Sequence, residues 1–468
     1  MPATSLDQVV SLCKRRGFVF PGSEIYGGLA NTWDYGPLGT ELKKRVQASW
    51  WDTFVRQKPE MMGIETAILM HPNVWEASGH VSNFGDPLVE CRKCHARPRG
   101  DKLLEEKLGV EVVAVLTLDQ VQPMMMAEKI PCPECGKCDW TAAKKFNLMF
   151  RTQQGVIEGE GTDIYLRPET AQGMFVNFKN ILDTMRPRLP FGIAQIGKSF
   201  RNEITPGNFT FRTREFEQME IEYFVAPGTE EKYFQEWLDA TMQWYTDLGI
   251  AKERLRIREH TNEERSHYSS RTVDIEYHYP WGWGEFMGLA NRSDYDLKQH
   301  QEKSGQDLRY TDPDDATKKF HPYVVEPAFG CTRTVLVLLL EAYTEEKVKD
   351  DTRTVMKFHK RIAPIDVAIL PLSKKEHLVA KAQELYKKIV HETKLVVDFD
   401  ITGSIGKRYR RQDEIGTPLC ITVDFGTIGE DTAQGAKDTV TIRDRDTLQQ
   451  ERVAIGEIRE KIAEAWRK

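Results

Sequence analysis

Residues 200–216 read FRNEITPGNFTFRTREF, and the reading of the fold turns on this stretch. From Arg186 to Arg214 there are six Lys or Arg and one acidic residue, Glu203. Directly after come Glu215, Glu217, Glu220 and Glu222, within a run from Phe216 to Phe224 that the residue pattern predicts to be a strand. Signs separated in this way suit a site that holds a polyphosphate at one end and a cation at the other, because guanidinium forks bind phosphate through paired hydrogen bonds. On charge alone, a salt-bridged surface hairpin accounts for the pattern equally well. Pro206 and Gly207 mark a loop between Arg201 and Arg212.

Around this stretch the pattern predicts strands at Phe191–Ile196 and Phe209–Phe211, an amphipathic helix over 230–248, and a buried helix from Val335 to Tyr343. Towards the N-terminus lies a Gly- and aromatic-rich segment, Tyr26-Gly27-Gly28 to Gly39. A helix from Thr40, as its N-cap, to about Val55 is predicted next, then a strand over Glu65–Met70. Beyond Arg361–Pro364 the chain reads strand, helix, strand, helix from about Ile405, strands at Leu419–Val423 and Thr439–Arg443, and a last helix. This alternation predicts a separate α/β domain of about 100 residues. The whole is 468 residues with 29% charged and 40% hydrophobic side chains and a net charge of −6, a globular composition rather than a disordered or fibrous one. A mildly acidic sum does not exclude nucleic acid, since patches matter more. The longest aliphatic run, Val335–Leu340, is too short for a membrane span, and no basic-then-apolar leader is present; cytoplasmic localisation with no membrane partner is expected.

Reduced cysteines follow from that compartment. Cys91-x-x-Cys94 and Cys132-x-x-Cys135, the latter followed by Gly136, offer four thiolates for one closed, structural Zn2+; surface thiols or a redox pair are the alternatives. His95 and Cys138 are possible substitute ligands, and Cys13, Cys331 and Cys420 read as small buried residues. Lys407-Arg408-Tyr409-Arg410-Arg411 places four cations and one aromatic in five residues; on a helix they cannot share one face, so the run is either a partial RNA contact or a solvated surface. Arg443 and Arg445 are weaker RNA candidates, and Gly403–Gly406 allows close approach of a backbone.

Phe200-Arg-Asn-Glu203 with Arg212-x-x-x-Phe216 resembles motif 2 of the class II aminoacyl-tRNA synthetases, and Glu326-Pro-Ala-Phe-Gly-Cys-Thr-Arg333 resembles motif 3. Asp34-Tyr-Gly-Pro-Leu-Gly39, Trp75-Glu-Ala-Ser-Gly-His80, Phe146-Asn-Leu-Met-Phe150, Leu166-Arg-Pro-Glu-Thr-Ala-Gln-Gly173, Phe216-Glu-Gln-Met-Glu220 and Asn291-Arg-x-Asp-Tyr-Asp-Leu297 are similar to the dimeric glycyl-tRNA synthetases, from about residue 10 to the C-terminus. The resemblance implies an α+β fold. Its parts are a class II catalytic domain over 1–360 built on an antiparallel sheet flanked by helices, a zinc-ribbon-like insertion at 88–145, a second insertion at 226–280, and an anticodon-binding domain over 361–468.

It implies activation of glycine by ATP with Mg2+, transfer to tRNA-Gly, and a homodimer. Arg201 would meet the α-phosphate and the glycine carboxylate, Glu203 the adenine side, Arg212 the γ-phosphate, Phe216 the adenine face, and Arg333 the bent triphosphate. Asn202, Phe211, Glu285, Phe286 and Gly330 complete the ATP set. Glu169, Glu220 and Glu326 would surround the α-ammonium, with Arg99, Phe216, Glu217, Gln218, Met219, Arg292, Ala328 and Gly330 around the glycine. Lys407 to Arg411 would bind tRNA. Two positions depart from the family: Ala328 stands where motif 3 carries Ser, and Ala67 where motif 1 ends in Pro. A non-catalytic nucleic-acid-binding relative is the competing reading, and the retained Arg201, Arg212 and Arg333 weigh against it. A synthetase for another amino acid is the third, opposed by Glu169, Glu220 and Glu326.

Overall fold

The computed structural model describes residues 5–467 except 110–111, 114–115, 157–160, 263, 266–268 and 349–350. Two helices open the chain, α1 (Leu6–Arg16) and α2 (Pro37–Trp51). Helix α2 starts three residues before the expected Thr40: Pro37 takes the first helical position, where its missing N–H costs nothing, and Gly36 is the N-cap. The Thr40 hydroxyl donates instead to Tyr35 O.

A seven-stranded sheet follows: β1 (Met61–Gly63), β2 (Phe191–Phe200), β3 (Glu215–Val225), β4 (Leu255–Glu259), β5 (Arg271–Tyr279), β6 (Gly282–Ser293) and β7 (Tyr323–Gly330), in the order β4-β5-β6-β7-β3-β2-β1. All neighbours are antiparallel except β1 and β2. The expected strand over Glu65–Met70 is replaced by this shorter β1. Beyond it the backbone is held by side chains, Thr66 N donating to Gln195 Oε1 and Thr66 O accepting from Arg167 Nη1. Phe209–Phe211 is a turn rather than a strand: Asn208 and Phe209 sit at φ 56° and 60°, outside the extended region.

Strand alternation splits the sheet into two faces. One face, with Met219, Ile221, Ile275 and Phe329, is buried under α1, α2, α4 (Glu230–Asp247) and α6 (Cys331–Ala342). Residues 335–340 of α6 are all buried, as an all-round apolar helix requires. The other face is covered in part by α3 (Ala171–Val176) and α5 (Tyr295–Ser304), which pack Phe175 and Leu297 against Ile193, Phe224 and Val324. The uncovered remainder of that face is the candidate site. Residues 226–280 are not set apart as an insertion: α4 lies in the main core, and β4 and β5 extend the central sheet. Strands Gly85–Leu88 and Lys144–Asn147 pair at the neck of the 88–145 segment, which has a small core of its own around Val89, Leu104 and Trp140.

A hairpin (Tyr343–Val348 with Asp351–Met356) leads into a second body with its own core. Its five strands, β8 (Val367–Pro371), β9 (Val397–Phe399), β10 (Leu419–Val423), β11 (Thr439–Asp444) and β12 (Gln450–Ala454), run in the order β9-β8-β10-β11-β12, parallel at β8 and antiparallel beyond β10. Helices α7 (Glu376–Glu392), α8 (Ile405–Ile415) and α9 (Ile458–Arg467) complete it. No helix among the described residues is long and apolar enough to cross a membrane.

Candidate active site

The uncovered face holds a cavity of about 210 Å3 that joins the arginines of residues 201–212 to the glutamates of β3 and β7. Glu169, Arg201, Glu203, Phe211, Arg212, Phe216, Gln218, Glu220, Glu285, Phe286, Glu326, Ala328, Gly330 and Arg333 all line it. Alternation on β3 decides which of its residues contribute. Phe216, Gln218 and Glu220 face the cavity, whereas Glu217 pairs with Lys43 of α2 at 2.5 Å and Met219 is fully buried in the main core. Glu217 and Met219 are therefore removed from the glycine set: they share the stretch but not its face. Phe286 lines the wall from within the core, its ring stacked on Tyr245 at 4.2 Å. Asn202 lies off the cavity, its backbone N–H bound to Leu148 O. Arg99 lies off it as well, paired with Asp86 at 2.8 Å and Asp101 at 2.5 Å.

At the open end stand three guanidiniums, two of them fixed by rings, carbonyls or a carboxylate. Arg201 donates from Nε to Pro168 O at 3.0 Å and lies between the rings of Phe84 and Phe216, 5.3 and 5.2 Å from their centroids. Arg333 lies over Phe211, 4.7 Å from the ring centroid, and its Nη1 is 2.8 Å from Glu285 Oε1; this guanidinium holds the Glu285 carboxyl below its usual range. Arg212 engages no carboxylate at ion-pair distance among the described residues. The loop that carries it is braced by the Gly- and aromatic-rich N-terminal segment: Arg214 Nη1 donates to Ala30 O, Asn31 Nδ2 to Pro206 O, and Trp33 packs edge-on against Phe209. The strand floor needs its glycine at 197, where a Cβ would stand 2.2 Å from Arg167 Nη2.

The closed end is a buried carboxyl cluster. Glu220 Oε2 accepts from the Thr170 N–H at 3.1 Å and from the Thr170 hydroxyl, and Oε1 accepts from Gln218 Nε2. Glu326 Oε1 pairs with Arg292 Nη1 at 2.8 Å, and the same guanidinium binds Asp296 through Nε and Nη2. Glu169 takes Gln172 Nε2 at 2.9 Å and faces His80 Nε2 at 3.3 Å. Arg292, 1% exposed, thus stands behind the cavity wall and orients the glutamates. Burial pushes the Glu326 carboxyl up to about 8 against the pull of Arg292, with Glu220 and Glu169 adding to the rise. Burial and then Glu169 raise Glu220, whereas at Glu169 the opposing pull of His80 and Arg292 overcomes burial and lowers it. His80, Thr170, Gln172, Asp296 and Glu222 were not among the expected site residues. His80, Thr170, Gln172 and Asp296 all lie within the family-like motifs, and Glu222 continues the 216-218-220 alternation, which is the signal that finds them.

Away from the sheet, two further predicted sets come together differently. The sulfurs of Cys91, Cys94, Cys132 and Cys135 all lie within 4.8 Å of one another, with Cys91–Cys135 at 3.7 Å and Cys94–Cys132 at 3.5 Å. Tetrahedral Zn–S bonds of about 2.3 Å place sulfurs roughly 3.8 Å apart, so the four fit one ion. Backbone N–H groups of Cys94 and Lys93 lower the Cys91 thiol to about 7. His95 turns away to Glu90 and Cys138 to Met125 O, so neither substitutes. On α8 the cationic run is dispersed. Arg408, 1% exposed, donates to the carbonyls of Pro371, Ile401 and Gly403, which removes it from the tRNA-binding set. Tyr409 donates or accepts at Thr422 Oγ1 and lies under Arg443, Arg410 pairs with Asp351, and Arg411 with Asp400. Lys407 is exposed beside Arg410 and Arg411. Arg443 and Arg445 are buried too, on Asp413 and on backbone carbonyls, and are not RNA contacts.

Residues 150–343 match the class II tRNA synthetase core domain (G, H, P, S and T), and residues 366–465 match the anticodon binding domain. Among similar proteins, the glycine–tRNA ligase of Geobacillus thermodenitrificans is 55% identical over 462 residues, covering 98% of this chain and 97% of the relative. That of Bacillus cereus is 54% identical over 459 residues, 97% and 98% of the two chains, and that of Clostridium perfringens 53% over 465 residues, 97% of each.

Proposed function

The chain belongs to the glycine–tRNA ligases and is an ATP-dependent enzyme that charges tRNA with glycine, and on that premise we propose how its residues divide the work. The observation that carries the proposal is the cavity itself, cationic at its open end and carboxyl-lined at its closed end. Glycine offers no side chain to grip, so its ammonium enters the closed end among Glu169, Glu220 and Glu326, and its carboxylate meets Arg201. ATP lies along the open end, its phosphates on Arg201, Arg212 and Arg333 and its base against Phe211 and Phe216. Mg2+ neutralises phosphate charge when bound there; Glu203 and Glu285 are the carboxylates of that end suited to hold it. The glycine carboxylate is ionised at neutral pH and needs no general base. Arg201 places it against the α-phosphorus, and the three guanidiniums stabilise the charge that grows on the departing pyrophosphate.

Larger amino acids are excluded by crowding at the α-carbon. Ala328 supplies no hydroxyl to the substrate, so selection rests on shape and on the carboxyl cluster. Four thiolates hold a structural Zn2+ in the 88–145 module, the C-terminal body reads the tRNA anticodon with Lys407, Arg410 and Arg411 at its rim, and the enzyme works as a homodimer in the cytoplasm. The assignment is tested by a split in substrate constants. Glu220→Gln is expected to raise the glycine KM at least tenfold and leave the ATP KM within twofold, with Arg333→Ala doing the reverse. Equal effects of both variants on both constants would refute the division.

A further inference from the structure

The closed end of the cavity holds more carboxyl groups than its cations can balance. Glu169, Glu220, Glu222 and Glu326 converge there with Asp296, and all five are buried. The register pairs Ala328 with Glu220 and Val324 with Phe224, which sets Glu326 of β7 level with Glu222 of β3. The facing groups come from every surrounding element. His80 faces Glu169 from the short helix His80–Asn83, and Arg167 and Glu169 come from the segment before α3. Arg292 comes from β6, Asp296 from α5, and Arg201 from the end of β2. His300 of α5 reaches only as far as Gln172.

Arg292 is already divided among Asp296, Glu326 and, at 3.8 Å, Glu169, and Arg201 and Arg167 are anchored on backbone carbonyls. Both oxygens of Glu222 are buried with no hydrogen-bond partner. A buried ionised carboxylate with no donor to either oxygen is strongly disfavoured, so Glu222 is held as the neutral acid. Of the three glutamates that line the cavity, Glu169 has both His80 at 3.3 Å and Arg292 at 3.8 Å to balance it, which leaves Glu220 and Glu326 as the next two carboxyls.

We propose that glycine enters this pocket in exchange for a proton: the empty site holds one proton shared by Glu220 and Glu326, the α-ammonium takes its place, and the proton leaves to solvent. One positive charge departs and one arrives, so the buried cluster keeps its charge through binding, and Glu222 stays neutral throughout. This rests on the placement of glycine given above. The raised Glu220 carboxyl and the Glu326 carboxyl near 8 agree with it, burial being the larger cause in each case. An amino acid of the same shape without an ammonium gains nothing from the exchange, so the carboxyl pair selects for the charge as well as the size of the ligand.

The test is the pH dependence of the glycine KM in ATP–pyrophosphate exchange at saturating ATP and Mg2+, with the heat of glycine binding measured calorimetrically at pH 7 in phosphate and in Tris. The proposal requires the KM to fall about tenfold per unit from pH 6 towards 8 and then level off, while kcat changes much less. It also requires a heat that differs between the buffers by the ionisation heat of up to about one proton. Glu222→Gln is expected to keep both signatures, and Glu326→Gln to flatten the profile while raising the KM. A KM that is flat between pH 6 and 8 with a buffer-independent heat would overturn the proposal. Loss of the profile in Glu222→Gln would overturn the assignment of the mobile proton to Glu220 and Glu326. No glycine-dependent exchange at any pH would instead refute the ligase reading beneath it.

Discussion

The chain has two cation-rich stretches, Arg201–Arg214 beside the central sheet and Lys407–Arg411 on α8, and they are used in opposite ways. In the first, Arg201 and Arg212 converge with Arg333 on one cavity, Arg201 held by two rings and a carbonyl and Arg333 by the Phe211 ring, backbone carbonyls and Glu285. In the second, a turn of 100° per residue sends each side chain a different way. Arg408 goes inward to three carbonyls, and Arg410 and Arg411 go to carboxylates. The second run is the denser, four cations in five residues against three in fourteen, yet it is the first that forms a cationic site, because use is set by whether the backbone gathers or scatters the charges. On the inner face of the same helix, Asp413 binds both Arg353 of the hairpin and Arg443 of β11 at 2.8–3.1 Å, a buried clamp between the two bodies.

The comparison predicts crossed phenotypes. Arg201→Ala is expected to lower glycine-dependent ATP–pyrophosphate exchange about a thousandfold, ~4 kcal/mol of transition-state stabilisation, with little change in thermal stability. Near-normal exchange in that variant would break the comparison at its catalytic end. Asp413→Ala removes the carboxylate shared by two buried guanidiniums, leaving Arg353 only Glu346 and the Arg445 carbonyl, and is expected to cost about 3 kcal/mol of stability, read as a lower unfolding midpoint in urea. An unchanged midpoint would show that the clamp is dispensable.

The four-cysteine cluster provides a third contrast, because its thiols come together from two segments about forty residues apart. Cys91→Ser combined with Cys94→Ser is expected to lose about one metal ion per chain, by atomic absorption, and to expose residues 88–145 to protease. Unchanged metal content would remove the site. The smallest effects belong to the exposed rim. Lys407→Ala is expected to raise the KM for tRNA only a few-fold and to reduce the salt slope by about one, whereas Arg408→Ala should act through stability, by about 2 kcal/mol. A larger effect on tRNA from Arg408→Ala at unchanged stability would invert the assignment.

Most of the site was legible because its residues sit in motifs whose order along the chain is fixed by the sheet. Arg201, Phe216, Glu220, Glu326 and Arg333 are brought together by β2, β3 and β7, as the resemblance implied. What misled was contiguity. Glu217 and Met219 lie within the same five residues as Glu220, yet the strand pleat places them in the opposite layer. The inward turn of Arg408 has no signature in composition, since it depends on carbonyls of the 371 and 401–403 segments that meet only in the folded chain. Strand β12 has no signature in the sequence, because Gln450–Ala454 is an edge strand with polar, half-exposed residues and carries no apolar alternation. The segment 226–280 read as an insertion although its strands complete the central sheet, a pairing set by neighbours distant in sequence.

The central claim is that one cavity, cationic at its mouth and carboxyl-lined at its base, activates glycine and no larger amino acid. ATP–pyrophosphate exchange by the full-length protein, measured with each amino acid in turn, tests it most directly. The account predicts exchange with glycine and at most a trace with alanine or serine. Exchange supported by alanine or serine as well as by glycine would contradict it.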